Sequence, residues 1–438
     1  MSHPQTAIDY VLGVLLGEGG QQCAARVLYQ RQEPADPGYR AVQIVPSGFF
    51  GQGYLTRGSL PTLPLREIDG VPLLYGEPVV RRERGRLVVH ADLIASAFFL
   101  LTRYEEAVRR DVRDRHGRFP GTESLPHRAG FLQRAVVDEY AALLRGWLRE
   151  VGLEAPEPAR RFSVVLTHDL DSLREFPSRA SALRVAAAAL VGRKSVRRLP
   201  RALAVGLGLR GDPLDNLDEI IALDRSLAAR PGSPPCRCIY FFMAGGGSEY
   251  DGFYEIDGDA ARQAVHAVRT SGAGVGLHTS YDASGHRELI AGQKARLEAA
   301  CGTAVRGNRF HYLSWREIED GWALADAGIE WDATLGYADV AGFRLGVCRP
   351  VPLFDPVRMK PFGIEEHPLL VMDGTLSHPS YMGLDEEAAL GCCRRLVDET
   401  RKHNGELVVL WHNTKLAHTP RNYHPRLYRR LLGLLADG

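Results

Sequence analysis

The sequence predicts an α/β chain, a closed or nearly closed barrel of about seven βα units preceded by a smaller α+β domain. Three observations carry this. From Phe162 onward, short apolar runs alternate with helical stretches, the pattern of a parallel sheet with crossover helices. At 438 residues the chain exceeds one ordinary domain. Two prolines among charges, in Glu154-Ala155-Pro156-Glu157-Pro158-Ala159-Arg160-Arg161, read as a linker that divides residues 1–155 from 162–438.

In the first part, 42–45 and 87–90 read as strands. Asp92 is an N-cap, and Ile94, Ala97, Phe98 and Leu101 fall on one face of the helix it opens. Arg103, Glu105 and Glu106 read as a local helical salt-bridge set. A second amphipathic helix spans 133–149. In the second part the strands are 162–166, 238–243, 274–277, 306–309, 331–334, 369–372 and 407–411. The helices are 217–227, 259–271, 286–301, 314–327 and 385–403. An insertion at 179–210 holds eight cationic residues, Arg193, Lys194 and Arg197 among them, and no acid. It reads as a helical pair packed on the barrel, with an anionic partner surface as the sharper alternative.

The bulk properties exclude several classes. A composition of 45% hydrophobic and 24% charged residues is that of a globular protein with ample core. A net charge of +1 gives no field that would attract nucleic acid, so no nucleic-acid partner is expected. The seven cysteines are odd in number and none has CxxC spacing, which argues for a reducing compartment. Residues 1–20 lack a basic segment followed by an apolar one, and no apolar run reaches membrane-spanning length. The expected location is cytoplasmic.

The chemistry concentrates where strands end. Val164-Val165-Leu166 runs into Thr167-His168-Asp169-Leu170-Asp171. Asp169 and Asp171 sit two apart, so both carboxylates face one side of the strand. Two anions there repel unless a cation intervenes or one is protonated. Later strands end in His278-Thr279-Ser280-Tyr281-Asp282, in Arg309-Phe310-His311-Tyr312, in Asp332, in Asp373 and in His412. The recurrence of ionisable residues on successive strand ends points to one shared rim.

These motifs resemble the polysaccharide deacetylase superfamily, carbohydrate esterase family four and its relatives. Thr167-His168-Asp169-Leu170-Asp171 is similar to the first motif, His278-Thr279-Ser280 to the second, Arg309 to the start of the third, and Leu410-Trp411-His412 to the last. The first part, through the run from Asp92 to Glu106, resembles the region ahead of the barrel in a bacterial branch, as do Asp332-Ala333-Thr334-Leu335-Gly336-Tyr337 and Met372-Asp373-Gly374-Thr375-Leu376. The resemblance implies a distorted barrel and a metal-dependent carbohydrate deacetylase that removes an acetyl group from the nitrogen or oxygen of a sugar or glycan precursor. It implies a divalent metal, expected to be Zn2+, held by Asp171, His278 and Asp282. Asp282 stands where the family carries a second histidine, so His286 or water are alternatives for that position. Asp169 is implied as the base, Arg309 as its charge partner, and His412 as the acid, oriented by Asp332 or Asp373. His311, Tyr312, Tyr337 and Trp411 are candidates for stacking on a sugar ring. Two other readings stay open. One is a catalytically silent barrel that binds carbohydrate or a protein partner, and the other is a hydrolase of non-sugar amides.

Overall fold

The computed structural model describes residues 4–31, 39–83, 85–191, 198–252, 254–419 and 422–436. The first part holds β1 (Val27–Tyr29), β2 (Ala41–Ile44), β3 (Arg66–Ile68), β4 (Val71–Leu73), β5 (Gly76–Glu83) and β6 (Arg86–Ala91). Four of these form a sheet in the order β1-β2-β6-β5, while β3 and β4 make a separate antiparallel pair. Asp92 caps the helix Leu93–Leu101, accepting from the Ala95 N–H at 3.0 Å as its place in the sequence requires. Its other oxygen accepts from Tyr29 and Ser47, which ties the cap to the loops around it.

The second part is built on nine strands: β7 (Ser163–Leu170), β8 (Cys236–Phe242), β9 (Gly274–Thr279), β10 (Gly307–Phe310), β11 (Trp331–Asp332), β12 (Val351–Asp355), β13 (Lys360–Glu366), β14 (Leu369–Met372) and β15 (Glu406–Leu410). Their order is β12-β13-β11-β10-β9-β8-β7-β15-β14, and every pairing is parallel except β12 with β13. The expected closed or nearly closed barrel is therefore corrected to a sheet that hydrogen bonds do not close among the described residues. Its two ends are nonetheless joined by chain. β13 lies beside β11 at one end, β14 lies beside β15 at the other, and only His367 and Pro368 separate them. Pro368 has no N–H to offer a ladder, so the seam falls there. The strands β12 and β13 were not expected from the sequence. On β13 buried and exposed residues alternate, so no continuous apolar run announces it.

The two parts share one hydrophobic core, to which Leu15, Phe98 and Leu144 contribute from the first and Leu166, Phe354 and Leu396 from the second. Arg103 and Glu106 are not a local helical set as expected. Arg103 makes a bidentate pair with Glu317 at 2.6 and 3.1 Å, and Arg344 makes one with Glu106 at 3.0 and 2.6 Å, all four side chains being buried. Burying charges is tolerable because each guanidinium fork meets a carboxylate fork. Glu105 pairs locally, with Arg109 at 2.8 Å and Arg128 at 2.7 Å.

The insertion forms two helices, Arg179–Leu190 and Leu199–Gly206; Arg193, Lys194 and Arg197 lie outside the described residues. Ser178 and Ser181 close a capping box at its start. The pair has a small core of its own, built from Phe176, Ala182, Ala186, Ala202 and Val205.

Candidate metal centre

Strand β7 sends alternate side chains to opposite faces. Thr167 and Asp169 point one way, and His168 the other. On the first face Arg309, at the end of β10, is fully buried and spans three strands. Its Nε donates to the Ala333 carbonyl at 2.8 Å, and its Nη1 donates to Thr167 Oγ1 at 2.7 Å and Asp169 Oδ1 at 3.0 Å. Its guanidinium carbon lies 4.5 Å from the Phe241 ring centroid, a cation–π contact.

Asp171, just past the strand, faces three imidazoles. Its Oδ1 lies 3.3 Å from His278 Nε2 and 3.8 Å from His311 Nε2, and its Oδ2 lies 3.9 Å from His412 Nε2. Asp169 Oδ2 lies 3.6 Å from His278 Nε2. Burial pushes the Asp171 carboxyl up, but His278, His412 and His311 together outweigh that and hold it well below the usual carboxylate range. Burial pulls His278 down, but Asp169 and Asp171 outweigh it and hold its pKa up. The two carboxylates require a positive charge between them.

Each imidazole is held from behind. His278 Nδ1 meets the Arg309 carbonyl at 2.9 Å, and His311 Nδ1 meets Asp251 Oδ1 at 3.1 Å. With the proton on Nδ1 in both rings, both Nε2 lone pairs are free to take a metal, the usual arrangement behind a metal-binding histidine. Asp171, His278 and His311 offer three ligand atoms within 4.8 Å of one another. Asp171 Oδ1 and His278 Nε2 are buried and have no hydrogen-bond partner among the described residues. The donor set of two imidazoles and one carboxylate therefore fits a divalent ion with open positions.

On the far side of Asp171, His412 follows β15. Its Nδ1 lies 2.8 Å from Asp373 Oδ1, and its own N–H donates to Asp373 Oδ2 at 2.6 Å. Burial pulls the His412 pKa down, but Asp373, then Asp171 and Asp169, outweigh it and push it up to about 10.

The structure moves several residues from their expected places. Asp282 is exposed on a short 3-10 turn and takes no part in the cluster; His286 is exposed as well. His311, expected to stack on a sugar, turns its ring nitrogen to Asp171 instead. Asp332 is not the partner of His412. It is buried, accepts from Asn308 at 2.7 Å and from Thr334, and lies against Glu366. Trp411 is fully buried against Tyr428, with ring centroids 5.1 Å apart, and reaches no solvent. Tyr337 is buried with Phe119 and Leu132 under the first part of the chain. Only Tyr312 keeps a place beside the cluster. Its ring lies 4.8 Å from His311 and joins a rim with His116, Tyr250 and Tyr281 at 4.7, 5.5 and 5.5 Å. His116 comes from the first part of the chain, and its Nδ1 lies 3.1 Å from the Tyr281 hydroxyl.

Asp251 was missed. It accepts from His311, the Tyr281 N–H at 2.8 Å and the Ser248 hydroxyl at 2.8 Å; burial pushes it up, but these bonds outweigh it and hold it down to about 2. The available signal was the glycine run Gly245-Gly246-Gly247 after β8, ending at Asp251-Gly252. Gly252 passes so close to the Asp171 carbonyl that a Cβ would sit 1.7 Å from it, so only glycine fits.

Residues 20–152 match the model of a family of unknown function (DUF7033). No curated protein matches the chain. Among solved structures, one described as a polysaccharide deacetylase from Mycobacterium smegmatis shares 15% identity over 64% of this chain and 86% of its own, with a TM-score of 0.41. One described as PuuE allantoinase shares 13% over 66% and 89%, with a TM-score of 0.41. One described as a polysaccharide deacetylase from Pseudomonas aeruginosa PAO1 shares 13% over 65% and 88%, with a TM-score of 0.37.

Proposed function

We propose that the protein is a metal-dependent hydrolase that removes an acetyl group from a sugar or glycan precursor. The observation that carries this is the placing of Asp171, His278 and His311 around one point, with Asp169 braced by Arg309 on one side and His412 braced by Asp373 on the other. Asp171, His278 and His311 hold the divalent ion, zinc by preference for such a donor set. When bound, the ion supplies Lewis-acid polarisation of the acyl carbonyl. Asp169 takes a proton from the attacking water, and Arg309 orients that carboxylate. His412 carries the proton that the departing amine or alkoxide needs, and Asp373 keeps it there. Cleavage of the acyl C–N or C–O bond then leaves acetate and a free amino or hydroxyl sugar. Tyr312, Tyr281 and Tyr250 offer aromatic faces at the rim for the apolar side of a sugar ring.

The observation behind a silent binding protein was Asp282 in the place of a histidine ligand. His311 supplies an imidazole from another strand, so that reading keeps no observation of its own. The test is acetate release from acetylated amino sugars by the metal-loaded protein. Asp169→Asn and His412→Ala are each expected to lower turnover by about 10²–10⁴-fold while metal content stays the same. Unchanged turnover in Asp169→Asn would remove Asp169 from the mechanism, and absence of acetate release across acetylated sugars would sink the substrate class.

A further inference from the structure

The insertion helix Arg179–Leu190 is packed inside out. Its buried stripe is Ala182, Ala186 and Ala189; Ala187 and Leu190 face outward, and Leu183 is 40% exposed while packing against Gly206 of the second helix. Folding driven by burial alone would place the leucines inward and polar groups outward. The second helix crosses close to the first, because a Cβ on Gly206 would strike the Leu183 side chain. Beyond it, Leu207 and Leu209 again face solvent. Leu190, Val191, Leu207 and Leu209 are 68, 69, 62 and 74% exposed, whereas no other large apolar side chain among the described residues exceeds 48%. Single exposed apolar side chains are ordinary, but the four most exposed large ones among the described residues all belong to this insertion, Leu190 and Val191 at the end of the first helix and Leu207 and Leu209 after the second.

The charge around this apolar face is of one sign. No aspartate or glutamate occurs from Arg179 to Gly211. Arg179, Arg184 and Arg210 make no ion pair among the described residues, and Arg198 and Arg201 share the single Glu175 at the base. The two ends of the insertion are tied to each other, since Asp212 accepts from the Glu175 and Phe176 N–H groups at 2.9 and 2.8 Å. Outward-facing leucines between arginines match the headgroup and upper acyl region of a bilayer with negative lipids. No helix among the described residues is long and apolar enough to cross a membrane, so contact would be peripheral.

We propose that this hairpin docks the protein on an anionic phospholipid surface. The proposal does not depend on the hydrolase reading.

The test is co-sedimentation of the full-length protein with vesicles of phosphatidylcholine alone and of phosphatidylcholine mixed with phosphatidylglycerol. Binding is expected to the mixed vesicles, weakening as NaCl rises from about 0.1 M to about 0.5 M. Leu190→Glu combined with Val191→Glu, and separately Arg179→Gln combined with Arg184→Gln, should each reduce it by about tenfold or more. These side chains are exposed, so thermal unfolding of the variants should match the parent and show that folding is intact. Three results would overturn the proposal: no binding to mixed vesicles, equal binding to phosphatidylcholine alone, or binding that neither pair of substitutions alters. A dimer in solution that Leu190→Glu dissolves, without vesicle binding, would overturn it in favour of a second copy of the chain.

Discussion

His168 and Asp169 are neighbours on one strand and face opposite sides of it, and they live in opposite electrostatic worlds. His168 is locked. Its Nδ1 lies 2.7 Å from the Trp411 carbonyl and its Nε2 lies 3.0 Å from Asp224. Asp224 in turn accepts from the Tyr240 and Tyr428 hydroxyls at 2.6 and 2.5 Å. Each polar group of that knot has a partner, as buried polar groups in stable proteins do. Across the strand, Asp171 Oδ1 and His278 Nε2 are buried atoms that meet at 3.3 Å as an ion pair but make no hydrogen bond among the described residues. A finished network holds a fold together, and an unfinished one of the same residue types waits for something from outside.

Mutation can break this contrast. Asp171→Ala should abolish turnover and weaken divalent-ion affinity by about a hundredfold or more. Metal-free stability, measured by urea unfolding, should fall by less than in Asp224→Ala, since the ion-pair contacts of Asp171 to His278, His311 and His412 are 3.3 Å or longer and the side chain is partly exposed. Asp224→Ala should do the reverse. It strands two hydroxyls and a ring nitrogen, so stability should fall by about 3 kcal/mol or more, with metal content unchanged in the protein that remains folded. If the two variants had the same effect on stability, the contrast would collapse.

A smaller effect sharpens the comparison. Asp251→Asn should weaken metal affinity by about 10–100-fold, because it loosens the ring of His311 without removing a ligand. Titration with a divalent ion under calorimetry reads it directly.

A last effect lies away from the centre. His367 sits between Glu406 at 2.6 Å and Glu365 at 3.5 Å. Burial pulls its pKa down, but Glu365 and Glu406 outweigh it and push it up to about 9. A raised histidine stabilises the folded state fully below its unfolded pKa near 6.5, and that contribution disappears as pH rises through about 9. His367→Gln should therefore lower stability by roughly 2–3 kcal/mol at pH 6 and by almost nothing at pH 10, as measured by urea unfolding at both values.

Much of this molecule was legible before its coordinates. β7, β8, β14 and β15 were readable from continuous apolar runs, because such runs are buried on both faces, and β9, β10 and β11 from their place between helical stretches. β13 alternates buried with exposed residues, and neither it nor the short β12 beside it was readable. At the site, Asp169, Asp171, His278, Arg309 and His412 could be picked out because each ends a readable strand. Position along a strand does not say which way a side chain turns after the strand stops. That is why His311 was read as a stacking group and the exposed Asp282 as a ligand. Trp411 looked like a sugar platform because a strand end suggests exposure, yet it belongs to the face of β15 that packs on Tyr428. Asp251 lies in an irregular loop, and no periodicity points there.

The paired charges Arg103–Glu317 and Arg344–Glu106 have a practical consequence. A fragment begun at residue 162 would keep Glu317 and Arg344 but lose both counter-ions, along with Phe98 and Leu144 from the shared core. It would also shed His116 from the aromatic rim. A shortened gene encoding only the sheet with the metal-binding motifs should yield insoluble polypeptide rather than a minimal catalyst, which makes the smallest workable unit for protein engineering the whole chain.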